Sequence, residues 1–187
     1  VGVERATFVG NSLGCVHLIE LAVRYPERVS DLVLISPAGG PNNQPLGRAI
    51  GQLALDGVRE PPSMSLLATR DYLRFGVVQG WRLFGAMTRY PVLDRLVELA
   101  VPTLVIVGRR DPLVDHHRVG VVFGDRSGAA AVVIPGAHAL NYTHPDPVAA
   151  LIGAFLDGGA LDGFASAGES IEVLFDNRCD QSPASAR

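Results

Sequence analysis

Apolar residues fall in blocks along this chain. Residues 29–35 (V-S-D-L-V-L-I), 101–108 (V-P-T-L-V-I-V-G) and 129–134 (A-A-A-V-V-I) are nearly unbroken apolar runs. Such runs suit parallel strands covered on both faces. A shorter run, 6–9 (A-T-F-V), predicts another strand. In the stretch 15–25, Cys15, Leu18, Ile19 and Ala22 recur at helical spacing. His17, Glu20 and Arg24 fall on the opposite side, His17 as a surface residue and Glu20 with Arg24 as an i,i+4 pair. Pro26 stops that helix. Strand, helix and strand in about thirty residues make a βαβ unit with a right-handed crossover.

The pattern then changes. Residues 41–99 hold no convincing strand, and the stretches 46–58, 65–75, 77–87 and 92–99 read as short helices separated by Pro61-Pro62, Gly76 and Pro91. A helical insert between two parallel strands predicts a cap over a site, and Trp81 and Phe84, with Phe75, Met64 and Met87, are candidates to line a pocket there. The cap looks apolar, without an evident polar anchor. Further on, 116–123 predicts a short helix. Asp146 is placed as the N-cap of another, with Val148, Leu151, Ile152 and Phe155 on its core face. The organisation expected is core (1–40), cap (41–99), core (100–158) and a C-terminal tail (159–187), polar and turn-rich apart from 171–175 and expected to be mobile over much of its length.

Composition adds little. The 187 residues are 48% hydrophobic and 19% charged, with a net charge of −3, which suits one globular domain. No basic stripe calls for nucleic acid, no apolar run is long enough to span a membrane, and no secretory leader opens the chain. Cys15 and Cys179 lie far apart and are not expected to pair, so a reducing, cytoplasmic setting is the default. No metal-ligand spacing, G-x-G-x-x-G or P-loop is present, so no cofactor is implied.

Candidate chemistry sits where strands end. Gly10-Asn11-Ser12-Leu13-Gly14 lies between the first strand and its helix, a G-x-S-x-G turn in which glycines flank a strained serine. Gly108-Arg109-Arg110-Asp111-Pro112 follows the third apolar run, and Pro135-Gly136-Ala137-His138 follows the fourth. Ligands bind at this edge of an open α/β sheet. Ser12, Asp111 and His138 are the residue types of nucleophilic catalysis: the imidazole takes the hydroxyl proton, and the carboxylate fixes its tautomer. Asp115 and Asp146 are weaker candidates for the acid, and His144 for the base. His116 and His117 open a surface helix.

These stretches, in the order Ser, Asp, His, resemble the α/β-hydrolase superfamily in its cap-bearing serine branch. Gly10-Asn11-Ser12 and His138-Ala139-Leu140-Asn141-Tyr142-Thr143-His144-Pro145 are similar to meta-cleavage product hydrolases and related carboxylesterases. The resemblance implies the C-terminal portion of that α/β fold: parallel strands, flanking helices and an inserted helical cap. It implies Ser12 as nucleophile, Asp111 as acid, His138 as base and the Leu13 N–H as an oxyanion donor. Asn11, Trp81 and Phe84 become candidates for substrate contact. The substrate would be a small apolar ester or a diketone-like molecule. The family has about four more strands before the serine turn, with the loop that supplies the second oxyanion donor. Without them the strand at 6–10 would expose an apolar edge, and little activity is expected of this chain alone. A non-catalytic ligand-binding protein and an inactive fragment are the rival expectations.

Overall fold

A computed structural model describes residues 2–166 and 169–178. Strand β1 (Ala6–Asn11) leads into helix α1 (Leu13–Arg24), and β2 (Val29–Ile35) follows. Helices α2 (Leu46–Arg59), α3 (Pro62–Phe75), α4 (Val77–Arg89) and α5 (Val92–Leu96) then come in succession. The remaining core elements are β3 (Thr103–Gly108), α6 (His116–Phe123), β4 (Ala129–Ile134), α7 (Leu140–Thr143) and α8 (Pro145–Leu156). Short strands β5 (Ala165–Ser166) and β6 (Glu169–Ser170) pair with each other, and β7 (Glu172–Asp176) closes the described chain. Among the described residues, no helix is long and apolar enough to cross a membrane.

The main sheet has the order β1-β2-β3-β4-β7. The first four strands are parallel, with Leu34 opposite both Gly10 and Val105, and Val105 opposite Ala131. The apolar runs are continuous because both faces are covered. Leu32, Leu34, Val105, Val107 and Ala131 pack with Cys15, Ile19 and Ala22 of α1 and with Val119 and Phe123 of α6. The alternate residues Val33, Ile35, Leu104, Ile106 and Val132 pack with Val148, Leu151 and Phe155 of α8. β1 lies at one margin, where Val9 is about half exposed, at 51%.

Two sequence expectations need correction. Asp146 is not the cap of α8: the cap position is His144, Pro145 takes the first helical place, and Asp146 sits in the first turn. Pro145 wins because its fixed φ suits that position and its missing N–H costs nothing there. Within the stretch assigned to the tail, the apolar exception at 171–175 falls almost wholly in β7, which is ordered in the main sheet, antiparallel to β4 with Phe175 opposite Ala131. Cys179 lies outside the described residues.

Candidate active site

Ser12 is held at φ 51°, ψ −118° between β1 and α1. Its N–H donates to Ile35 O at 2.9 Å, and its carbonyl accepts from Cys15 N at 3.0 Å. A turn this tight brings helix and strand together at Gly10, where a Cβ would lie 2.7 Å from Leu18 Cδ1 and 3.1 Å from the Gly14 carbonyl carbon. The same steric reason does not hold at Gly14, whose Cβ would meet nothing within 4 Å. Leu13 opens α1, so its N–H is one of the first-turn donors without an intrahelical acceptor. Cys15 is fully buried beneath the turn, and its thiol donates to Gly10 O and Ile35 O, both at 3.3 Å. Burial pushes that thiol far up, so it stays protonated.

The loops after β3 and β4 are strapped together by Arg110 N–H donating to Gly136 O at 2.9 Å. Gly108 makes this possible: a Cβ there would sit 2.8 Å from Gly136 O and clash harder still with Ala137 O. Gly108→Ala must therefore push the two loops apart. It is expected to destabilise the chain by about 3 kcal/mol or more in urea unfolding, as overpacking against backbone does.

These loops carry Asp111 and His138. His138 Nδ1 lies 2.8 Å from Asp111 Oδ2, and His138 Nε2 lies 2.7 Å from Ser12 Oγ. An ionised carboxylate only accepts, so Nδ1–H donates to it and Nε2 is left to accept from the serine hydroxyl. The Asp111 side chain is fully buried, and its Oδ1 accepts from Leu113 N at 2.8 Å and Val114 N at 3.3 Å. Burial alone would lower the His138 pKa. The Asp111 hydrogen bond and charge, with the charges of Asp56 and Glu60, outweigh burial and raise it above the ordinary histidine value.

The weaker candidates are engaged with other partners. Asp115 caps α6 by accepting from Arg118 N at 3.2 Å. His144 Nδ1 is engaged by Thr143 Oγ1 at 2.8 Å, and burial and Arg110 lower its pKa. His116 and His117 lie ring against ring at the start of α6, and His17 is exposed, with its Nδ1 3.1 Å from Leu13 O.

A cavity of about 430 Å³ opens on Ser12 and His138. Asn11, Leu13 and Phe84 line it, as do Leu53, Met64 and Met87. Trp81 does not; it lines a smaller neighbouring cavity beyond Phe84, which its ring meets edge-on at 6.2 Å. α4 turns Trp81 outward, where it is 48% exposed.

The cavity also contains two residues that the sequence did not single out. Asp56 of α2 and Glu60, which caps that helix, are buried, and each carboxylate accepts from the His138 loop: Asp56 Oδ1 from His138 N at 3.1 Å, Glu60 Oε1 from Ala139 N at 2.7 Å. The helical stretch after β2 thus brings two carboxylates to the cavity wall, where an apolar lining was expected. Burial, with the neighbouring charges of Glu60 and Asp111, pushes the Asp56 pKa up to about 6. Both the folded and the unfolded chain hold this proton below about pH 4. As pH rises through 6, the folded state must ionise a buried group at a cost the unfolded chain avoids. Asp56→Asn is therefore expected to stabilise the chain at pH 8, by about 3 kcal/mol at most, and to change little at pH 4. Urea unfolding at the two pH values checks this.

No family model matches this chain. It is 31% identical over 143 residues to a 2-hydroxy-6-oxononadienedioate/2-hydroxy-6-oxononatrienedioate hydrolase of Paraburkholderia phymatum, covering 61% of this chain and 49% of that one. It is 27% identical over 184 residues to a protein of Mycobacterium phage D29 named as a non-heme haloperoxidase, covering 83% and 65%. A hydrolase structure from Pseudomonas aeruginosa superposes with a TM-score of 0.60 at 25% identity, over 82% of this chain and 65% of that one. A meta-cleavage product hydrolase from Pseudomonas fluorescens does so with a TM-score of 0.61 at 23% identity, over 83% and 66%. The chain is part of an α/β-hydrolase fold. It spans about two thirds of the α/β-hydrolase structures it matches and 49% to 65% of these two sequence relatives. In this α/β-hydrolase portion, Ser12, Asp111 and His138 stand at the C-terminal ends of β1, β3 and β4, and α2 to α5 form the insert after β2.

Proposed function

We propose that this chain carries the reacting groups of a serine hydrolase that cleaves a carboxylic ester or an activated C–C bond in a small, largely apolar substrate. The observation that carries this reading is the unbroken hydrogen-bonded series Ser12–His138–Asp111 at the mouth of a largely apolar cavity. Ser12 Oγ attacks the substrate carbonyl carbon while its proton passes to His138 Nε2. Asp111 stabilises the imidazolium through Nδ1–H. The developing oxyanion faces the N-terminus of α1, where the Leu13 N–H and the helix dipole favour negative charge. Collapse expels the alkoxide, or the carbon leaving group, with the proton from His138. Water then attacks the acyl-serine, its proton passing to His138, and the acid leaves as Ser12 regains its hydrogen.

Asn11 and Phe84 contact the substrate on this reading, because both line the cavity beside Ser12. Trp81 drops out, since it faces the neighbouring cavity. The test is labelling with a fluorophosphonate probe followed by peptide mapping. The adduct is expected on Ser12. An adduct on any other residue, or none, overturns the proposal.

A further inference from the structure

Asp56 lies in the last turn of α2 and Glu60 is the residue that caps its C-terminus, and both reach the same loop. They take two successive main-chain N–H groups, those of His138 and Ala139. These partners lie 82 and 79 residues further along the chain, so the contacts tie the helical insert to the loop that bears the imidazole. A tie alone needs no charge, because an amide oxygen accepts an N–H equally well. Two carboxylates in one buried place repel each other and lose hydration. Glu60 leaves its Oε2 with no hydrogen-bond partner. Negative charge at this position must therefore do something that neutral acceptors would not.

The group that gains is His138. Its ring faces Asp111 directly, and Asp56 and Glu60 add their charges to that of Asp111. When the imidazole takes the Ser12 proton, the positive charge forms in a buried pocket, where an uncompensated cation is costly. We infer that Asp56 and Glu60 are positioning residues for His138: they hold its loop in register with Ser12 and, beside Asp111, set the proton affinity of its ring. This builds on the hydrolase reading above and extends it, because the competence of His138 then depends on α2 being seated. An insert helix that lifted away would remove both acceptors and both charges together.

The test has two arms, run on the whole 187-residue chain. In the first, the His138 ring is titrated by NMR in the unsubstituted chain, Asp56→Asn and Glu60→Gln. Each substitution keeps an acceptor oxygen and removes a charge, so each is expected to lower the His138 midpoint by about one pH unit. A merely structural clasp would leave that midpoint where it was. In the second arm, fluorophosphonate labelling rates are compared at pH 9. Asp56→Ala and Glu60→Ala, which remove the acceptor, are expected to label about tenfold or more slowly, and the Asn and Gln forms to recover most of that loss.

An unmoved midpoint in both charge-removing variants overturns the inference. So do alanine variants that label as fast as the unsubstituted chain. If the alanine forms do not fold, the Asn and Gln titrations decide. If no form labels Ser12, the hydrolase reading fails by itself, and the titration still decides whether the two carboxylates govern His138.

Discussion

Ser12→Ala is expected to abolish fluorophosphonate labelling and to lower any esterase turnover of the chain by about 10⁵- to 10⁶-fold, the loss seen when a serine hydrolase loses its nucleophile. The substitution removes one oxygen, and with it the 2.7 Å contact to His138 Nε2. It does not relieve the turn, since alanine at φ 51° carries the same left-handed conformation as serine. Stability should therefore change by no more than about 1 kcal/mol, and urea unfolding in parallel with labelling separates lost chemistry from lost fold. Other hydroxyls are near enough to make the test discriminating. Ser65 and Tyr72 line the same cavity, and Ser36 is buried at the end of β2 with its Oγ unpartnered. Labelling that survives in Ser12→Ala would move the nucleophile to one of these and dissolve the assignment of His138 as its base.

What the sequence disclosed follows from the range of the forces involved. β2, β4 and α6 have the same bounds in the pattern and in the structure, 29–35, 129–134 and 116–123, because burial on two faces writes itself as an unbroken apolar run and a helix writes itself as a period. The convergence of Ser12, Asp111 and His138 was legible for a related reason: parallel strands aim their C-terminal ends one way, so residues just past those ends share a rim. β7 showed in the sequence only as the apolar exception at 171–175; its pairing was not legible, because its partner β4 lies some forty positions earlier. Trp81 was misplaced because helical spacing finds an apolar stripe without saying which side of the insert faces the serine. Asp56 and Glu60 were missed because a carboxylate accepting a distant backbone N–H has no motif. The available sign was the pair of acids spaced i,i+4 at the end of the helix that carries Leu53.

Asp111→Asn is expected to cost about 10⁴-fold in turnover, the loss that the corresponding change causes in serine proteases, with the fold retained. The geometry says why the loss should be so large for one atom. Asp111 Oδ1 is fixed by two main-chain donors, Leu113 N and Val114 N, so an asparagine must keep its carbonyl oxygen there. Its NH₂ group is thereby turned to the place of Oδ2, 2.8 Å from His138 Nδ1. A donor facing Nδ1 forces that nitrogen to accept, and the ring proton moves to Nε2. Nε2–H then confronts the Ser12 hydroxyl and has no lone pair to take its proton. Proton affinity should fall as well, since burial pulls the His138 pKa down and the Asp111 hydrogen bond and charge do most to hold it up. The sign for stability follows from that elevation. The imidazolium–Asp111 pair stabilises the fold fully below the ordinary histidine pKa of about 6.5, and that contribution fades as pH rises through the raised value. Asp111→Asn should therefore destabilise the chain more at pH 6 than at pH 9, and its labelling should stay slow at both. Labelling within tenfold of the unsubstituted chain would mean that another group orients His138, and the role given to Asp111 would be lost.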